Sequence, residues 1–93
     1  MGKVILKGII EIPFDQLESV RVCLPQHIQL TREERGCVVF DVVVRPNNPC
    51  CYDVYEEFIS RAAFDAHQQR VKASRWGKVT KQVIRDYQII EMP

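Results

Sequence analysis

The stretch Tyr52–His67, YDVYEEFISRAAFDAH, decides how the rest of the chain is read. Side chains alternate along a strand, so Tyr52, Val54, Glu56 and Phe58 share one face of a strand Tyr52–Ile59. Ser60 follows, where a hydroxyl can accept a backbone N–H and start a helix. On that helix Ala63, Phe64, His67 and Val71 recur at steps of three and four, which turns His67 toward a core. A glutamate and a histidine, each among apolar neighbours, are thus brought toward one interior.

Upstream, Cys37–Arg45 (CVVFDVVVR) reads as a second strand, apolar on both faces apart from Asp41. The turn composition of Pro46-Asn47-Asn48-Pro49 predicts an antiparallel hairpin with a somewhat long loop. Val4–Ile12 (VILKGIIEI) is β-branched and apolar, a first strand closed by Pro13. Phe14-Asp15 opens a helix, with Asp15 as cap or first-turn acid. Its inward stripe is Leu17, Val20, Leu24, either His27 or Ile28, and Thr31. Pro25 lies inside that pattern and is expected to kink the helix or split it near Leu24. Gly36, after the charged run Arg32–Arg35, is expected to end it as a left-handed cap.

Downstream, the second helix is predicted from about Arg61 into Arg75–Val79, with Gly77 a weak point. The last strand lies within Val83–Met92, chiefly Tyr87–Met92. Strand, helix, strand, strand, helix, strand is the α+β, ferredoxin-like βαββαβ order with a four-stranded antiparallel sheet. The 93 residues read as one domain.

Two helices cover one face of such a sheet. Ile5 and Ile9, and Val39 and Val43, would line the other, where a wet face normally alternates with polar residues. A second copy is the simplest cover, so a homodimer through the sheet face is expected.

A formal charge of +1 gives no case for nucleic acid. Lys7 and Glu11 interrupt the longest apolar run, so no membrane span is expected, and the N-terminal segment lacks the pattern of a secretory signal. A cytoplasmic location is the expectation. Cys23, Cys37, Cys50 and Cys51 include no Cys-x-x-Cys pair, and adjacent thiols suit one tetrahedral metal poorly. They read as reduced thiols: Cys23 and Cys37 small buried groups, Cys50-Cys51 a loop pair with a minor redox alternative.

Three pieces together resemble the antibiotic biosynthesis monooxygenase superfamily of small dimeric α/β-barrel proteins, including its quinol monooxygenase-like members. They are His27-Ile28 with Arg32–Cys37 and Phe40-Asp41-Val42; Tyr55-Glu56-Glu57-Phe58; and Ala63-Phe64-Asp65-Ala66-His67. Glu56, Phe58 and His67 match the recurring pattern of a glutamate, an aromatic two residues on and a histidine eleven residues on. The resemblance implies a homodimer with one pocket per subunit between sheet and helices, taking a small-molecule substrate and no metal, flavin or nicotinamide. Some members oxygenate quinols, a branch isomerises a small phosphorylated sugar-like signal molecule, and another degrades haem. The strand-one asparagine of the haem degraders is absent from Val4–Ile12. After His67 the chain continues Gln68-Gln69-Arg70-Val71 rather than with the family's proline, histidine and aromatic.

Oxygenation without a cofactor requires the substrate itself to reduce oxygen, so the protein supplies a base and a water-poor cavity. His67 is the candidate base with Glu56 as its orienting partner. The plainer reading is a structural hydrogen bond between sheet and helix. His27 is a second candidate base or substrate donor, against a half-exposed histidine at an interrupted helix. Phe40, Phe58, Phe64, Leu24 and Trp76 are the candidate substrate-binding wall, Trp76 being equally readable as core. Asp41 should pair with a strand partner or Arg35, and Tyr55, opposite Glu56, belongs to the dimer face. The basic run Arg70, Lys72, Arg75, Lys78, Lys81 and Arg85 is a solvated face, or else attracts an anionic substrate as in the isomerase branch. The reading is a cofactor-independent monooxygenase of a small aromatic or quinol; the alternatives are an isomerase of an oxo-sugar phosphate and a non-catalytic ligand-binding dimer.

Overall fold

A computed structural model describes residues 2–93. The elements are β1 (Val4–Glu11), α1 (Leu17–Arg32), β2 (Cys37–Arg45), β3 (Asn48–Phe58), α2 (Arg61–Ala73), α3 (Arg75–Val79) and β4 (Ile84–Glu91), with a 3-10 turn at Phe14–Gln16 leading into α1. The strands lie in the order β2-β3-β1-β4, each antiparallel to its neighbours. This is the ferredoxin-like arrangement the element order predicts.

Alternation fixes which side chains meet the helices. Val4, Leu6 and Ile10 of β1 and Tyr52, Val54, Glu56 and Phe58 of β3 are buried on that side. Across the sheet they form rows: Phe40–Glu56–Leu6–Ile89, then Val42–Val54–Gly8–Tyr87, then Val44–Tyr52–Ile10–Arg85. The middle row has no side chain at its centre, because Gly8 occupies β1 there. A Cβ at Gly8 would lie 2.0 Å from the Asp86 carbonyl oxygen, so close strand pairing keeps the position bare. That gap lies under the helices, between Leu6 and Ile10.

α1 closes the sheet with Leu17, Val20, Cys23, Leu24, His27 and Thr31 buried, which selects His27 over Ile28 for the inward stripe. The helix runs unbroken through Pro25, contrary to the expected split. Pro25 and Arg21 are exposed, so the Arg21 carbonyl that proline leaves without a donor faces water. Gly36 is not a left-handed cap either, since the only positive-φ residue described is Gly8. Gly36 is a close-approach position: a Cβ there would meet the Ala63 Cβ at 2.3 Å. The turn after α1 thereby packs directly on α2.

The hairpin is tighter than its composition suggests. Arg45 pairs with Asn48, leaving Pro46-Asn47 as the connection, and Asn48 Oδ1 accepts from the Cys50 N–H at 3.0 Å. Cys50 and Cys51 are therefore strand residues rather than a loop pair, with Cys51 buried and Cys37 only half-buried; all four cysteines are unpaired thiols. Ser60 caps α2 as expected, accepting from Ala63 N–H at 3.1 Å. The second helix breaks at Ser74 rather than at Gly77, and the Ser74 hydroxyl caps α3 by accepting from Gly77 N–H at 3.1 Å. β4 starts earlier than Tyr87 and pairs with β1 from Ile84 to Glu91. Asp41 finds its cation on α1, with Arg32 Nη2 at 3.2 Å, and pairs with neither Arg35 nor a strand partner.

Candidate active site between sheet and helices

His67 projects from α2 onto β3 and is 4% exposed. Its Nδ1 lies 3.0 and 3.1 Å from the two carboxylate oxygens of Glu34, in the turn after α1. Glu34 is also bonded by Arg70 Nε, one turn along α2 from His67. Arg70 Nη2 reaches the Thr31 hydroxyl at 2.9 Å, and that hydroxyl donates to the His27 carbonyl at 2.8 Å. The chain of contacts locks the His67 ring. With the ion-paired Glu34 as acceptor, Nδ1 carries the hydrogen and Nε2 presents a lone pair.

Nε2 faces Glu56, whose Oε1 is 3.9 Å away, beyond direct hydrogen-bond range. Glu56 is 6% and His27 5% exposed, and Glu56 Oε1 and His27 Nδ1 have no hydrogen-bond partner. Burial pushes the Glu56 carboxyl up to about 8, with the nearby Glu34 charge adding to the rise. Glu56 is accordingly protonated at neutral pH. Burial pulls His27 down to about 3, helped by His67, Arg70 and Arg85. Burial also lowers His67 below 6.5, against an opposing pull from its bond to Glu34. Both rings are neutral near pH 7, and the one on Glu34 is the one whose imidazolium has a counter-charge waiting.

These groups border a cavity of about 60 Å³ in the gap above Gly8, lined also by Leu6, Ile10, Phe40, Val42, Val54, Gln68, Val71, Trp76, Arg85 and Tyr87. The His27 imidazole is stacked on Trp76 at 4.5 Å with 4° between the planes, and its edge meets Phe40 at 5.3 Å. Two neutral imidazoles and a protonated carboxyl among aromatic faces, with the Arg85 guanidinium in the lining, suit proton removal from a hydroxyl and charge spread over a ring. Among the described residues no group of three His, Cys, Asp or Glu side chains converges as a metal site would.

The sequence profile of the family described as antibiotic biosynthesis monooxygenase matches residues 5–78. The chain belongs to that family. No curated protein matches it in sequence. Among solved structures, a conserved Bacteroides thetaiotaomicron protein of unknown function superposes with a TM-score of 0.81 at 12% identity, covering 98% of both chains. An antibiotic biosynthesis monooxygenase gives 0.70 at 23% identity over 100% of this chain and 97% of its own. A Mycobacterium tuberculosis protein gives 0.73 at 21% identity over 95% and 92%. At these identities the structures speak for the fold.

Within this antibiotic biosynthesis monooxygenase domain, His67, Glu56, His27, Phe40 and Trp76 come together at the cavity wall. Leu24, Phe58 and Phe64 do not: they pack in the core beyond it. Phe58 still bears on the site by packing on the His67 ring at 4.9 Å, with Phe64 edge-on behind it at 5.7 Å. The orienting carboxylate of His67 is Glu34, not Glu56. Sequence reasoning missed Glu34 because it lies 33 residues from His67 inside an ordinary charged run, and no local period links the two. It left Arg70 and Arg85 in a basic run read as a solvated face or else as an attraction for an anionic substrate; Arg70 instead pairs with Glu34, while Arg85 is exposed and borders the cavity.

Proposed function

We propose that this chain is a cofactor-independent monooxygenase acting on a small phenol or quinol bound between sheet and helices. The observation that supports it is His67 Nε2, bare and oriented by Glu34, facing a cavity where Glu56 Oε1 and His27 Nδ1 also await partners. In this reading Nε2 accepts the substrate's O–H proton, and Glu34 stabilises the imidazolium formed. The electron-rich phenolate then reduces oxygen, and a peroxide forms at a hydrogen-bearing ring carbon, para to the oxygen in a simple phenol and ortho to it in a quinol. Loss of that carbon's hydrogen and cleavage of the O–O bond give a quinone and water, so phenol plus O2 yields quinone plus H2O, and quinol plus O2 yields hydroxyquinone plus H2O. In the same reading Glu56, protonated below about pH 8, donates to the departing peroxide oxygen.

The cavity is smaller than the roughly 150 Å³ that houses a benzene ring in an apolar protein interior. Substrate entry therefore calls for movement of the cavity wall. Oxygen uptake with a panel of hydroquinones tests the function. His67→Ala should abolish uptake while circular dichroism and unfolding temperature stay near those of the parent. Uptake surviving both His67→Ala and His27→Ala would remove the base assignment. Panel members that stabilise the chain without turnover would instead support a ligand-binding dimer.

The assembly belongs to the same proposal. The helix-free face presents Ile5, Ile9, Val39, Val43, Tyr55 and Ile90 among Lys7, Asp53, Glu57 and Asp86, more mixed than the strand composition suggested. A homodimer through this face would cover the apolar members and seat the charged ones at the rim. No described helix is long and apolar enough to cross a membrane. Four unpaired thiols fit a reducing, cytoplasmic setting.

A further inference from the structure

We propose that the substrate carries a carboxylate and that Arg85 recognises it. With His27 and His67 neutral and Glu56 protonated near pH 7, Arg85 is the one permanently charged side chain among the cavity-lining residues. Its guanidinium is already held in place by the segment after α3. Nη1 donates to the Thr80 carbonyl at 3.1 Å and the Val83 carbonyl at 3.2 Å, and Nη2 donates to the Thr80 hydroxyl at 2.9 Å. All three partners are neutral. Arg21, Arg32, Arg45, Arg61 and Arg70 each have a carboxylate within salt-bridge distance; among the described residues Arg35, Arg75 and Arg85 have none, and of these three Arg85 lines the cavity.

Arginine has five N–H donors in a fixed plane. Three are used, and because Nη1 and Nη2 both reach Thr80, it is the end of the fork that is occupied. Nε–H and the second Nη2–H form its side edge, and the neutral Tyr87 hydroxyl, also in the cavity lining, hydrogen-bonds the guanidinium as well. That edge matches the two oxygens of a carboxylate, and the match favours a planar anion over a point charge. Pre-fixing by Thr80 and Val83 means little side-chain freedom remains to be lost on binding.

Sheet register puts the two polar ends of the site on either side of the Gly8 row. Arg85 shares a row with Ile10, and Glu56 shares a row with Leu6, four residues along β1 and about 13 Å at the backbone. A hydroxyl at the His67–Glu56 end and a carboxylate at the Arg85 end are then the two poles of the ligand, met by side chains that reach inward from those rows over the Gly8 gap. The chemistry at the hydroxyl end rests on the monooxygenase reading; the carboxylate contact does not.

The test compares 2,5-dihydroxybenzoate with its uncharged methyl ester, by calorimetric titration under nitrogen and then by oxygen uptake. A bidentate, charge-assisted contact predicts that the wild-type chain binds the acid at least about tenfold more tightly than the ester. Arg85→Gln should erase that preference, and Arg85→Lys should retain only part of it. Acid-selective binding without oxygen uptake would leave the recognition standing and remove the monooxygenase reading. Equal binding of acid and ester by the wild type, no binding of the acid, or selectivity that persists in folded Arg85→Gln would each overturn the proposal. The wild-type comparison decides even if the variants fail to fold.

Discussion

Glu34 and His67, 33 residues apart, meet where the turn after α1 crosses α2, with Nδ1 of the histidine 3.0 Å from a carboxylate oxygen. The contact sets the tautomer, and the tautomer decides which nitrogen faces the cavity. A base needs a lone pair at the substrate and a charge behind it to hold the proton it takes. The sheet carboxylate Glu56, at 3.9 Å, supplies neither directly.

Replacing Glu34 by glutamine should therefore lower kcat by about tenfold or more while KM changes little, because the loss falls on the imidazolium formed during reaction. The kcat–pH profile should shift as well, since Glu34 raises the His67 value against burial. An unchanged profile with reduced kcat would mean that Glu34 acts only on packing.

Stability against pH isolates Glu56. Its folded value of about 8 stands above the ordinary 4.5, so the folded chain holds the extra proton and stability falls as pH rises from 4.5 through 8. His27 works in the opposite sense. Its folded value of about 3 lies below 6.5, so the unfolded chain binds the extra proton and stability falls as pH drops from 6.5 to 3. The two slopes oppose each other between 4.5 and 6.5, leaving the decline between 6.5 and 8 to Glu56. In urea unfolding, Glu56→Gln should gain on the parent by a few kcal/mol between pH 6 and pH 9. A gap that does not change with pH would contradict the buried, protonated carboxyl.

His27→Phe keeps a flat ring against Trp76 and removes a buried nitrogen with no partner. The variant should equal or exceed the parent's stability, by up to about 1 kcal/mol, because an unsatisfied polar atom is costly to bury. Ligand affinity should fall in the same variant if Nδ1 contacts substrate. Thermal unfolding with and without 2,5-dihydroxybenzoate reads both effects.

Gly36 and Ala63 should behave as a coupled pair. Gly36→Ala puts two methyl carbons 2.3 Å apart in the unrelaxed structure and should destabilise by on the order of 1–3 kcal/mol. Ala63→Gly alone costs about 1 kcal/mol of helix propensity. The double variant should be more stable than Gly36→Ala alone, and simple additivity would show that the two do not touch.

The proposed dimer is tested on the helix-free face. The parent should sediment at twice the mass of one chain at micromolar concentration, and Ile9→Asp, which places a charge at the face centre, should shift it toward the single-chain mass. A parent that sediments as a single chain would remove the dimer without touching the cavity.

Periodicity along the chain was sufficient for the elements and the order in which they follow. Alternation placed Val54, Glu56 and Phe58 on one face, the three–four spacing turned Phe64 and His67 inward, and the resemblance named the family that the profile match shows. These are properties of a dozen residues at a time, and local backbone geometry enforces them. What local sequence failed to show was of another kind. Pro25 leaves α1 whole because the freed carbonyl reaches water. Gly36 is a contact with Ala63 rather than a cap, and Cys50-Cys51 joined a strand once the turn closed in two residues. The site likewise depended on distance in space. Glu34 became the partner of His67, Glu56 became a neutral acid, and Arg85 came to border the same cavity only when the antiparallel register and the docking of α1 on α2 brought remote segments together. Hydrophobic pattern fixes which way a side chain points, but which charge it meets, and how much water is left beside it, are decided by packing across the whole fold.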